Sequence, residues 1–137
     1  MKRIVKAGLC LMRDGKVLLA RSKGDAHFQI PGGKIEAGET DIAALVREVL
    51  EELALELDPS EAAYLDTFEA AAAGRDDVIV EVRLYEADDA GEPHASSEIE
   101  ELSWQKPATP NVPCSDVVRL HILPYLATRA QAKVPVK

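Results

Sequence analysis

The stretch from Gly33 to Leu55, GKIEAGETDIAALVREVLEELAL, constrains the chain most, because it asks for a glycine-led loop followed at once by a helix with an acidic flank. Between Thr40 and Leu53 there is neither Gly nor Pro, and Ile42, Leu45, Val46, Val49 and Leu53 recur at helical spacing. Those five residues make one buried stripe. Glu48, Glu51 and Glu52 fall on an arc beside it, since positions i, i+3 and i+4 are neighbours on a helix surface. Like charges so placed destabilise a helix unless a cation lies among them, and an all-oxygen set suits a hard divalent ion such as Mg²⁺ or Mn²⁺. An isolated EVLEEL segment is most often a solvated helix face; the ordered spacing around this one sets it apart. Just upstream, Pro31-Gly32-Gly33 reads as a sharp turn that exposes backbone groups.

Around this centre the chain alternates β-prone runs with turn residues. Ile4 to Met12 and Val17 to Ala20 flank Asp14-Gly15, which predicts an opening hairpin. Arg21 to His27 reads as a loop, and Phe28-Gln29-Ile30 as a short strand. Beyond the Asp58-Pro59-Ser60 break, Ala63 to Ala70 and Val78 to Tyr85 predict a second hairpin joined by Gly74 to Asp77, although Ala70 to Ala73 could equally extend a helix. The acidic segment Ala87 to Ser97 should be a surface loop, followed by a strand Leu102 to Gln105 with Trp104 in the core. After the proline-rich loop Pro107 to Pro113, Ser115 is placed to cap a second helix bearing Val117, Val118, Leu120, His121, Ile122 and Leu126. Pro124 should kink or restart that helix, and periodicity is lost from Ala127. Residues 1–132 thus form one domain, with 133–137 as a frayed tail. Two helices among mixed strands predict an α/β/α sandwich with a mixed sheet.

A length of 137 residues with 47% hydrophobic content suits a single core. The formal charge of −8 argues against a nucleic-acid polymer or an anionic membrane as partner, and a small anionic substrate would need a bridging cation. Cys10 and Cys114 make no zinc pattern and read as reduced thiols of a cytoplasmic protein. The amino-terminal apolar run is broken by Lys6 and lacks a cleavage site, and no segment is long enough to span a bilayer. His27, His94 and His121 have no ligand at metal spacing, and neither a Gly-x-Ser-x-Gly elbow nor a P-loop occurs.

The ordered set Gly33, Glu39, Arg47, Glu48, Glu51 and Glu52, with Val49 and Leu55 at the aliphatic positions, closely resembles the Nudix box, Gly-x5-Glu-x7-Arg-Glu-U-x-Glu-Glu-x-Gly-U. Ala54 stands where that pattern has its last glycine. The resemblance implies the Nudix fold and metal-assisted attack of water on a diphosphate phosphorus of a nucleoside diphosphate linked to a further group. It places metal ligation, by Mg²⁺ or Mn²⁺, on Glu52, with Glu48 and Glu51 sharing the cluster, and on the Gly32 carbonyl. It gives Arg47 the role of orienting a glutamate, and gives Gly33 and Glu39 the role of holding the loop; by spacing, Glu51 at i, i+4 could be the partner of Arg47. The general base is expected at Glu48, or at a later-loop glutamate, Glu98 before Glu100 and Glu101. MutT-like members show an aromatic residue before the Pro-Gly-Gly and an asparagine after a late proline-rich loop, which assigns substrate contacts to Phe28 and Asn111; Phe28 is equally explicable as core. Markers of ADP-ribose hydrolases are absent around Glu69, Ala70 and Ala71. The resemblance therefore favours a nucleoside triphosphate, ordinary or oxidised, cleaved to monophosphate and pyrophosphate. A pyrophosphatase for ADP-ribose or another nucleotide sugar, and a silent nucleotide sensor, are the alternatives. A homodimer is expected.

Overall fold

The acidic amphipathic stretch forms helix α1, Asp41–Leu53, in the computed structural model, which describes residues 1–72, 74–87 and 91–133, with side chains to residue 129. Thr40 caps it, its hydroxyl accepting the Ala43 amide, and Ala44, Leu45, Val49 and Leu53 form its buried stripe. The helix stops at Ala54, which takes the left-handed conformation (φ 55°, ψ 34°) that the resembled pattern gives to glycine and donates its amide to the Leu50 carbonyl.

Seven strands accompany it: β1 (Lys2–Cys10), β2 (Met12–Arg13), β3 (Lys16–Ser22), β4 (Gly32–Lys34), β5 (Ala63–Ala72), β6 (Arg75–Glu86) and β7 (Ile99–Gln105). They make a four-stranded mixed sheet ordered β4-β1-β6-β5, with β1 and β6 parallel, and a three-stranded antiparallel sheet ordered β2-β3-β7. Residues 7–11 and 17–20 are buried on both faces and alternate between two core clusters. Cys10, Val17 and Leu19 point to one, shared with Phe28 and Ile122; Leu9, Leu11 and Leu18 point to the other, shared with Leu45, Val49 and Leu53 of α1. With helix α2 (Leu123–Lys133) on the side opposite α1, the architecture is the expected α/β/α sandwich.

Several local expectations give way to longer-range pairing. The opening hairpin is confined to β2 and β3, where Met12 faces Val17 around the Asp14-Gly15 turn; β1 stops at Cys10 and pairs instead with β6 and β4. Pro31-Gly32-Gly33 is not a turn, for Gly32–Lys34 runs antiparallel to β1. A side chain at Gly32 would collide with the Ala7 carbonyl oxygen, so glycine is what lets the two backbones meet. Phe28 and Gln29 make isolated bridges to Cys114 and Ala20, short of a strand. Ala70 to Ala72 stays in β5, Arg75 to Asp77 already belongs to β6, and β7 begins three residues early, at Ile99. Trp104 is half-buried against the α1-side cluster, with the Arg13 guanidinium 5.4 Å from its ring centre.

The second helix departs in three ways. The Ser115 hydroxyl donates to Gln29 Oε1 at 2.6 Å and caps nothing. Val118–Ile122 forms a π-helical turn in which the Leu123 amide reaches back to the Val118 carbonyl, and this widening lets Pro124 follow without ending the helix. Helix α2 then continues past Ala127 to Lys133; the rest of the expected tail, 134–137, lies outside the described residues. Among the described residues no helix is long and apolar enough to cross a membrane.

Candidate active site

Arg47 organises the charged flank of α1. Its Nε and Nη2 donate to the two oxygens of Glu39 at 2.8 Å each, its Nη1 donates to Glu48 Oε1 at 2.7 Å, and Nη2 also meets the Lys34 carbonyl at 3.1 Å. Glu39 in turn accepts the Glu36 amide at 2.9 Å, closing the loop between β4 and α1. The bidentate guanidinium, helped by that amide, holds the Glu39 carboxyl at about 2, and the paired carboxylates raise the Arg47 pKa further. Glu51, the partner expected at i, i+4, lies 3.9 Å from Arg47 and is 53% exposed. The glutamate of α1 that Arg47 hydrogen-bonds is therefore Glu48.

The other two glutamates separate as their hundred-degree offset requires. Glu52 turns inward, accepting the Gly32 amide on Oε1 at 2.8 Å, while Glu51 turns out. Burial pushes the Glu52 carboxyl up to about 7; the Gly32 amide opposes this, the Glu48 charge adds to it, Lys6 opposes it and Glu51 adds a last increment. Glu48 is only 16% exposed, and its carboxylate lies where a Gly33 side chain would be. Glu48 and Glu52 thus press against Gly32-Gly33 from α1. Among the described residues no three Asp, Glu, His or Cys side chains converge as a ready metal cluster. The donor set nevertheless fits a divalent cation: a buried carboxyl whose charge is disfavoured, two like charges beside it, and a glycine backbone that leaves room. The carbonyls at the end of α1 are engaged by the segment ahead of β7, Ser96 and His94 donating their amides to Glu52 and Leu53.

On the sheet face opposite α1 a cleft of about 170 Å³ is lined by Lys6, Gln29, Ala71, Ala72, Val80, Ser115, Asp116 and Val117. A recess of about 20 Å³ shares Lys6, Gln29, Val80 and Val117 with it and reaches Gly8 and Gly32. Neither expected substrate contact lies there. Phe28 is 4% exposed in the core, and Asn111 is exposed on another surface, beside Lys16, Trp104 and Lys106, its amide donated to Gln105 Oε1. Glu98 sits exposed on the turn before β7, its carbonyl accepting the Lys23 amide; Glu100 is exposed, and Glu101 pairs with Arg21 at 3.2 Å. Sequence reasoning missed Lys6, Gln29, Ser115 and Asp116 as cleft residues. The one signal available was Lys6 itself, a charge inside an otherwise apolar strand.

The NUDIX domain family model matches residues 2–125. The CTP pyrophosphohydrolase of Escherichia coli (strain K12) is 31% identical over 111 residues, 78% of each chain. The 8-oxo-dGTP diphosphatase of the same organism is 37% identical over 60 residues, which span 40% of this chain and 46% of the relative. Among solved structures, that of the E. coli ORF135 protein superposes with a TM-score of 0.74 at 29% identity, covering 98% of this chain and 96% of its own. A MutT NUDIX hydrolase from Burkholderia pseudomallei gives 0.73 at 26% identity, covering 88% and 95%. Box, sandwich and relatives agree, and the chain belongs to the NUDIX family, among its MutT-like pyrophosphohydrolases.

Proposed function

We propose that the protein hydrolyses a nucleoside triphosphate, ordinary or oxidised, to the monophosphate and pyrophosphate, using a divalent cation, Mg²⁺ in preference to Mn²⁺. The observation that carries this reading is the cleft of about 170 Å³ whose recess leads to Gly32, the residue bonded to Glu52: there is room for a base at one end and a cation-binding carboxylate at the other. The CTP and 8-oxo-dGTP relatives support it.

Glu52, Glu48 and the Gly32 carbonyl would hold the cation, with Glu51 at the rim. Such an ion, when bound, neutralises charge on the phosphates and lowers the pKa of water. A water oxygen bonds to phosphorus as the anhydride P–O bond breaks and pyrophosphate departs, and Glu48 takes the water proton. Arg47 keeps Glu48 in place for this, and Glu98 is the second choice of base. A homodimer, formed through β5, the outermost strand of its sheet among the described residues, and a cytoplasmic setting complete the reading; light scattering that shows only 14.9 kDa particles would reject the dimer.

The test is a panel of nucleoside triphosphates, oxidised triphosphates, ADP-ribose and nucleotide sugars, with Mg²⁺ and with chelator. Pyrophosphate should appear from triphosphates and only with the metal. Inertness to every triphosphate, with cleavage of ADP-ribose or a nucleotide sugar, would overturn the assignment.

A further inference from the structure

Lys6 stands on β1 between Lys34 of β4 and Val82 of β6, at a position where β1 passes from its exposed beginning into the double-sided core. It lines both the cleft and the recess that leads to Gly32. Among the described residues its ammonium makes no hydrogen bond and no ion pair, whereas Arg47 and Arg83, on the α1 face of the sheet, each hydrogen-bond two carboxylates. Burial lowers the Lys6 pKa, and the charges felt most are Glu52, which opposes the shift, then Lys34, which adds to it, then Asp25 and Glu48, which oppose it. Asp116, which also lines the cleft, is engaged with Arg119 at 2.9 Å. Lys6 therefore stands where the cleft and the Gly32 recess meet, without an ion pair to a glutamate. A half-buried cation left unpaired is stabilised by an anion that arrives with the ligand.

We propose that Lys6 binds a non-bridging phosphate oxygen of the substrate at the point where the cleft meets the Gly32 end of the site. The proposal rests on the triphosphate reading above and adds a binding residue that lies outside the box. The phosphate charge is then shared between the cation held by the glutamates and a fixed ammonium on the opposite wall. Because a phosphate is common to all nucleotides, this contact contributes to affinity without choosing a base.

The experiment uses the full chain and two variants, Lys6→Met, which keeps length and removes charge, and Lys6→Arg, which keeps the charge. Affinity for α,β-methylene-CTP and α,β-methylene-dGTP is measured by calorimetry with Mg²⁺ and with chelator, alongside kcat and KM on the triphosphate cleaved best. Lys6→Met is expected to lose about ten- to a hundredfold in affinity, equally for both analogues, as a charged hydrogen bond predicts. The loss should persist in chelator, KM should rise by the same factor, and kcat should change by less than about threefold. Lys6→Arg should recover most of the affinity. Unchanged affinity in Lys6→Met overturns the proposal, as does a loss confined to one base, which would make Lys6 a reader of the base edge. A wild-type protein that cleaves no triphosphate overturns the function proposed above; one that cleaves them while Lys6→Met binds normally overturns only the role of Lys6.

Discussion

Gly32 and Gly33 are neighbours, yet an added methyl group meets a different obstacle at each. At Gly32, with φ 138°, it runs into the Ala7 carbonyl, a backbone atom fixed in the sheet. Gly32→Ala should therefore destabilise the protein by on the order of 3 kcal/mol, read as a lower denaturant midpoint. At Gly33 the methyl first meets the end of the Glu48 side chain, which can swing away. Gly33→Ala should melt within a few degrees of wild type and lose at least about tenfold in turnover, because a displaced Glu48 no longer takes a proton in line; full turnover would remove Glu48 from the reaction. Glu52→Gln removes a buried charge at constant volume, so it should abolish most turnover while raising the metal-free melting temperature at about pH 8. A variant with normal turnover and an undiminished Mg²⁺-induced rise in melting temperature would show that Glu52 holds no cation. The acidic positions were legible from sequence because a helix converts spacing directly into direction. Phe28 and Asn111, expected to touch substrate, do not line the cleft, because a loop residue's side chain points where tertiary packing sends it, and three residues separate exposed Asn111 from Ser115 in the cleft.

Helix α1 ends on an alanine held at φ 55°. Ala54→Gly should relieve the clash of Cβ with its own backbone and raise stability by about 1 kcal/mol, less than the full left-handed penalty because glycine loses more chain entropy on folding. A denaturant midpoint that stays or falls would show that Ala54 is unstrained. The helix itself could be read from sequence, since the Ala-Leu-Glu composition and the apolar stripe are local; the Thr40 cap is the structure's addition. Strand partners could not. Nothing near Ile4 says that β1 will run beside Val80, or that Gly32–Lys34 will pair rather than turn. The π-helical turn ahead of Pro124 is likewise a solution found by packing, since Val118, Ile122, Leu123 and Leu126 must all reach one cluster across the proline.

For the molecule as a whole, pH and metal should oppose each other through Glu52. Its carboxyl titrates at about 7 when folded, above the ordinary value of 4.5, so between these values the folded state keeps a proton that the unfolded chain has released. That contribution, about 2–3 kcal/mol, is complete below the ordinary value and is lost as pH rises through about 7. The metal-free melting temperature should fall between about pH 5.5 and pH 8, the Mg²⁺-induced rise should grow over the same interval, and Glu52→Gln should flatten both trends. Scanning calorimetry checks this, and a metal-free protein that gains stability over the interval would contradict the burial of Glu52. Glu39, held at about 2, has the opposite sign and loses its contribution only as pH falls towards that value. The order of strands has a further, kinetic consequence. Gly32 is held by β1, and β1 is held on its other side by β6, with Lys2 opposite Val78 and Cys10 opposite Glu86. A parallel pair closed over roughly seventy residues forms late, because the loop entropy must be overcome before any contact rewards it. A growing chain released from the ribosome therefore holds the whole of Gly33 to Leu55 well before it can hold a cation, and in a truncation series Mg²⁺ protection should switch on with the completion of β6 rather than of the box.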